Sequence, residues 1–376
     1  MMYNQFDIPV HLILLGQLPY HILFIIISSL AFIETKKSYF YNQYESFFRI
    51  TGLFIILIFM GFKYHVGGDW GTYLNTFNDI ASNKKILMGI SDDIGWYFLN
   101  YFIIKLNLSF VFLNLISAII FLIGIHVNPK LYQNYWLFYL VLLPYFIFIV
   151  GMGYTRQTIS IGLLLISISF LLKESNYKTF IISIMLILIG TLFHKSVFIF
   201  IVLPFFIMRF EILKIGIIVL SMYLLFITTF FLFLDESLFR RLTYFFQSSY
   251  SSYGAYLRVL ILVLLAIFNL SIINVFENDL LKKRYNKNFS ILLVIISFLI
   301  LLSPSTVIID RILLYFYILF ASSLLTLYGY SKNQYNKNFI LNFSIFFGFV
   351  FCIIWFNFAD NAFSWVPYKN YLFMVF

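Results

Sequence analysis

Charge is scarce in this chain. Of its 376 residues only 11% are Asp, Glu, Lys or Arg, against about 25% in a typical soluble domain. So few charges cannot cover a water-soluble fold of this length, which excludes a cytosolic enzyme, a secreted domain and a disordered chain. Cysteine is nearly missing. Cys352 stands alone, so neither a disulfide framework nor a Cys-rich metal site is available. The histidines form no H-E-x-x-H or comparable ligand run, and no tight zinc site is expected. Walker A and dinucleotide G-x-G-x-x-G motifs are also missing, which leaves cytosolic nucleotide chemistry without support, and no cofactor is expected. The net charge of +10 comes from basic residues scattered singly between apolar runs. That is no nucleic-acid footprint, and the charges must be weighed loop by loop.

What the chain has is apolar length. Hydrophobic residues make up 62% and aromatic residues 22%, and mean hydropathy is +0.95. The apolar runs are continuous, as in LILLGQLPYHILFIIISSLAFI, whereas a membrane barrel needs alternating segments of about ten residues. Roughly 20 apolar residues in a helix cross the hydrocarbon core. The expected class is therefore an all-α polytopic membrane protein. The runs place about twelve transmembrane helices near 11–33, 47–62, 106–125, 134–150, 156–172, 179–193, 196–210, 212–234, 257–276, 288–303, 311–329 and 338–356. Segment 92–105 reads as an interfacial helix. No long linker or repeat interrupts residues 1–376, so one integral membrane domain is expected. The opening MMYNQFDIP lacks a basic n-region, and the first apolar run is expected to be a retained helix.

Orientation follows from Lys and Arg. With the N-terminus outside, six short inner loops hold 14 of the 25 basic residues, as the positive-inside rule prefers. The two residue types differ. Lysine follows this topology, but Arg156, Arg240, Arg241, Arg258 and Arg311 all fall outside. Arginine's planar fork suits phosphate and carboxylate, so the pattern points to an anionic ligand on the outer side. Arg156, Arg258, Arg311 and Lys195 each open a helix running inward. A cation there opposes the helix dipole at a cost of a few tenths to about 1 kcal/mol. Helix stability does not explain it. A bound diphosphate at converging helix starts would, and snorkelling to lipid headgroups is the plainer alternative.

Three further places carry chemistry. Gly67 and Gly68 precede Asp69, which is expected to N-cap a short helix carrying Tyr73 and Phe77 on one face. Its carboxylate could instead serve as a base or orient an acceptor sugar. His194 and Lys195 interrupt the apolar stretch TLFHKSVFIF, an expensive place for ionisable groups. Asp310 and Arg311 open the eleventh span, where Asp310 could fix the guanidinium for a phosphate. The outer segments 63–105 and 235–257, the latter rich in Tyr and Ser, would line the same face. Aromatic faces beside hydroxyls suit a sugar, and equally an aromatic belt at the headgroups.

These segments, taken in order, resemble a known family. GGDWGTYLNTF resembles the G-x-D-x-x-x-Y signature of the EpsG family. YTRQTISIGLLL resembles its R-Q segment, which brings in Gln157 beside Arg156. LFHKSVFIF, DRILLYF and WVPYKNY resemble its later F-H-x-S, R-I-x-x-Y and aromatic-Pro-Tyr segments. Lys63 departs from the pattern, which has an arginine before the Gly-Asp pair. The resemblance implies a Wzy-type polymerase of O-antigen, capsular or exopolysaccharide in the bacterial cytoplasmic membrane. It implies a fold like the C-type glycosyltransferase bundles, with extracytoplasmic loops. It also implies a reaction at the outer face, where the growing glycan leaves undecaprenyl diphosphate for the next lipid-linked repeat unit. A flippase and a chain-length regulator are the partners implied. In that scheme Arg258, Arg311, Lys195, Gln157, Tyr73 and Asp310 hold the substrate, and Arg156 is catalytic with His194 and Asp69. His194, with a reference pKa near 6.5, is preferred as base and Asp69 as acceptor-orienting group, the reverse assignment staying open. A lipid-linked oligosaccharide flippase is the competing class, but it should carry polar groups at mid-membrane, and here they gather at helix ends. Another membrane transferase is the third.

Overall fold

The computed structural model describes residues 10–36, 39–83, 93–127, 134–174, 176–207, 255–302 and 311–373. The expected span 212–234, Arg240, Arg241, Asp310 and the Tyr- and Ser-rich segment up to residue 254 lie outside them. The described residues are helical throughout their regular parts, with no β-strand among them. Hydrocarbon offers the backbone no partner, and only a helix satisfies its N–H and C=O groups within one segment.

The helices run as follows: α1 Val10–Thr35, α2 Tyr39–Gln43, α3 Glu45–Gly61, α4 Trp70–Ala81, α5 Ile94–Lys105, α6 Val111–Val127 and α7 Tyr135–Leu142. Next come α8 Thr155–Lys173, α9 Tyr177–Phe193, α10 Leu203–Ile207, α11 Ala255–Phe276, α12 Leu280–Leu302, α13 Ile318–Tyr330 and α14 Gln334–Phe358. A π-helical turn, Leu143–Gly151, extends α7, and 3-10 turns lead into α10 and α13. Helices thus occupy eleven of the twelve expected ranges. Among the described residues, five stretches can cross a membrane by length and apolar character: Leu15–Thr35, Thr155–Lys173, Ala255–Phe276, Arg311–Tyr330 and Gln334–Phe358. The helices at 111–127, 135–151, 177–193 and 195–207 are apolar but shorter.

One boundary differs from expectation. α12 starts at Leu280, so Lys282, Lys283, Arg284 and Lys287 belong to its first turns, not to a loop. Asp279 caps it, accepting from the amides of Leu281 at 2.9 Å and Lys282 at 3.3 Å. A capped helix continues through charged residues once they face water.

α7 is buried on almost every side, the environment expected of a helix apolar all round. α6 and α8 cross at Gly124 and Gly162. A methyl group on Gly124 would stand 2.4 Å from the Gly162 carbonyl oxygen, so the backbones meet directly.

Each end of the bundle has its own polar knot. At one, Glu34 accepts from the amides of Tyr135 at 3.0 Å and Trp136 at 2.6 Å, an anion at the positive end of α7. Arg49 pairs with Glu45 and lies over the Tyr135 ring. Asn134 bridges to Thr35 and Tyr328. At the other end, residues 359–373 turn back across the bundle as a strap. Tyr371 donates its amide to Phe62, Tyr64 to Lys369, and Gly67 to Ser364 at 2.8 Å. Trp365 is buried beneath, its Nε1 donating to the Phe148 carbonyl at 3.0 Å.

Candidate active site

The strap fixes the loop that precedes α4. Gly67 takes φ +105, a left-handed value, and a Cβ there would meet the Met152 carbonyl oxygen at 2.7 Å. Only glycine adopts this conformation at low cost. The next turn brings Asp69 to the N-cap position of α4. No side-chain cap bond forms, contrary to expectation. Instead Asp69 Oδ2 accepts from the Tyr73 hydroxyl at 3.2 Å and faces Nη2 of Arg311 at 3.9 Å.

Asp93 does the same one helix later. It precedes α5, makes no cap bond, and meets Nη1 of Arg156 at 2.7 Å. Giving up a cap costs about 1 kcal/mol, and both aspartates direct their carboxylates at arginines. Arg156 also lies over the Tyr73 ring, 5.3 Å from its centroid, and Arg311 lies 5.9 Å from that of Tyr154. Gln157 Nε2 donates to the main-chain oxygen of Arg311 at 2.6 Å and ties the two arginine-bearing helix starts together. Among the described residues, Arg156 Nε and Gln157 Oε1 are buried here with no hydrogen-bond partner.

His194 stands between α9 and the following 3-10 turn, within electrostatic reach of Arg156 and Arg311. Burial first, then those two cations, push its pKa down to about 3. Its Nδ1 lies 2.7 Å from Ser196 Oγ, which lies 2.9 Å from the hydroxyl of Tyr315.

Lys63 does not take the part of the expected arginine. It is buried, and its Nζ donates to the Met152 carbonyl, with Thr155 Oγ1 at 3.5 Å. Burial lowers its pKa to about 7, against the pull of Asp69. Lys63 therefore fixes the entry to α8, next to Arg156.

The structure thus brings Asp69, Tyr73, Arg156, Gln157, His194 and Arg311 together at one end of the bundle. Arg258 is half-buried near the start of α11 and Lys195 has an exposed side chain; the contacts described above involve neither. Asp93 joins the group without having been singled out, and Ser196, the serine of the F-H-x-S segment, joins it beside His194. Asp93 sat unmarked in the run Ser91-Asp92-Asp93. Its one signal was its place ahead of an apolar, aromatic helix. Among the described residues no group of three or more His, Cys, Asp or Glu could hold a metal ion.

The family model of the EpsG family matches residues 45–370, most of the chain. The chain belongs to the EpsG family. EpsG is a family of Wzy-like polymerases, so at the coarse level this is a membrane polysaccharide polymerase of glycosyltransferase type. No curated protein and no solved structure matches the chain. The matched range runs from the start of α3 into the strap and takes in every residue of the cluster.

Proposed function

We propose that this EpsG-family protein transfers a growing glycan from undecaprenyl diphosphate to the next lipid-linked repeat unit, at the outer face of the bacterial cytoplasmic membrane. The observation that carries the reading is the meeting of Arg156 and Arg311, held together by Gln157, with Asp69, Asp93 and Tyr73 around them. Two guanidinium forks at inward-running helix starts suit a diphosphate.

The acceptor hydroxyl attacks the anomeric carbon of the donor glycan. The bond from that carbon to the diphosphate oxygen breaks, and the leaving diphosphate takes the electron pair. Arg156 and Arg311 stabilise the charge that develops there. The acceptor's proton goes to Asp69 and not to His194, whose burial and two neighbouring guanidinium groups oppose protonation of the imidazole. At 3.9 Å the Asp69–Arg311 contact is loose, and a bound diphosphate would draw Arg311 away and free the carboxylate. Tyr73 would hold Asp69 in place and offer an aromatic face to the sugar. Asp93 would keep the Arg156 fork in its plane.

The glycan profile of a strain lacking the protein tests this. Single repeat units on the carrier or acceptor, with no ladder, are expected. Loss of all repeat units from the outer face would mean a flippase and overturn the reading.

A further inference from the structure

Ser196 links His194 to Tyr315. Its Oγ is 2.7 Å from Nδ1 of His194 and 2.9 Å from the hydroxyl of Tyr315, a residue 119 positions away. The main-chain N–H of Ser196 also points at that Nδ1, at 3.4 Å. An amide can only donate, so Nδ1 must accept, and a neutral ring then carries its proton on Nε2. The serine hydroxyl completes the same pattern by donating to Nδ1 and accepting from Tyr315. Tyr315 is 1% exposed, and its ring packs against Phe200 at 4.9 Å between centroids. It cannot swing away without opening the core. The charged groups around the imidazole are Arg156 on α8 and Arg311 ahead of α13, with Asp93 behind the first and Asp69 behind the second. Two guanidinium groups beside the ring favour its uncharged form.

We infer that Ser196 and Tyr315 are positioning residues, a hydrogen-bond relay that fixes His194 as an Nε2–H donor to the diphosphate oxygens held by Arg156 and Arg311. This rests on the polymerase reading above. No proton is transferred by His194. As the anomeric carbon–oxygen bond breaks, charge grows on the leaving oxygen and a fixed N–H···O contact strengthens. The relay matters because a freely exchanging ring would point a lone pair at the anion in one of its two tautomers.

Glutamine provides the test. Its terminal amide N–H reaches where Nε2–H stands, and it has no atom in the place of Nδ1. Single-turnover rates would be measured on the full-length protein in nanodiscs with lipid-linked repeat unit. Ser196→Ala should lower the rate about tenfold, the usual cost of losing an orienting partner. His194→Gln should keep its rate within about tenfold of wild type, with the same pH profile, while His194→Ala loses about a hundredfold. Adding Ser196→Ala to His194→Gln should cost no more than about twofold, because the relay no longer has anything to orient. Equal losses from Ser196→Ala in both backgrounds would show a merely structural serine and overturn the inference. So would a His194→Gln variant as slow as His194→Ala. Nitrogen-15 spectra of labelled imidazole give a second measurement independent of turnover. Nδ1 should be unprotonated in wild type, and in Ser196→Ala, where only the main-chain N–H still points at it, its resonance should move toward that of a free imidazole acceptor. A protonated Nδ1 in wild type overturns the relay even in an inactive preparation. A wild-type protein with the expected tautomer and no polymer formation would count against the polymerase reading alone.

Discussion

Gln157 donates its side-chain N–H to the main-chain oxygen of Arg311 at 2.6 Å. Arg156 is its immediate neighbour, so this one bond sets the spacing of the two guanidinium groups. Lysine keeps the charge of either arginine and loses the fork. Arg156→Lys and Arg311→Lys should each lower polymer formation by about a hundredfold while the protein still inserts. Gln157→Leu should cost about tenfold with both arginines intact, as expected for one misplaced charge-bearing group. Ladders of wild-type length from both lysine variants would leave only a lipid-headgroup role for the arginines.

The two aspartates should separate in their kinetics. Asp69→Asn removes the proton acceptor and should slow single turnover by at least about a hundredfold with little change in substrate affinity. Asp93→Asn leaves the acceptor in place and frees Arg156, so its main effect should be a raised KM for the lipid-linked donor. If Asp93→Asn proves the slower of the two in single turnover, Asp93 is the base.

Lys63 predicts a pH effect on stability. Its usual value is 10.5 and burial holds it at about 7 in the folded protein. Between those values the unfolded chain holds a proton that the folded protein does not, so stability rises with pH across that window. Below about 7 both states are protonated and the gain is gone. The unfolding temperature in detergent should therefore climb from pH 7 to pH 10. Lys63→Met should flatten that climb, and an unchanged slope would assign it to another group.

Sidedness can be measured by cysteine labelling. Lys36 and Lys195 both have exposed side chains, near opposite ends of the bundle. With Cys352 replaced by serine, Lys195→Cys should react with an impermeant reagent in intact cells, and Lys36→Cys only after lysis. The opposite result would put the cluster of Arg156 and Arg311 on the inner side.

The helices were readable because an apolar run near twenty residues has one stable form in hydrocarbon. What hydropathy could not mark was the direction each helix faces. α7 and α14 read alike as runs, yet Tyr135–Leu142 is almost wholly buried while Phe346 and Phe358 on α14 are exposed. An apolar side chain suits lipid and protein core equally. Within the site, Asp69, Arg156, His194 and Arg311 stood out because charge in an apolar chain is costly. Asp93 did not, and Ser196 was visible as part of the F-H-x-S segment but not as a partner of Tyr315. Asp93 sits beside another aspartate in a polar stretch, and a serine is unremarkable until its partners are known. Asp69 showed the limit of local rules. Its position is that of a helix cap, but Tyr73 and Arg311 offer its carboxylate more than the α4 amides do.

The hydrogen bond from Gly67 to the Ser364 carbonyl has a consequence for biosynthesis. Ser364 is made about 300 residues after Gly67, which at 5–20 residues per second is roughly 15–60 s of translation. Until then the turn carrying Asp69 lacks its backing, even though Arg156 and His194 have already left the ribosome. The turn that carries Asp69 is therefore held in place only after most of the chain has been synthesised.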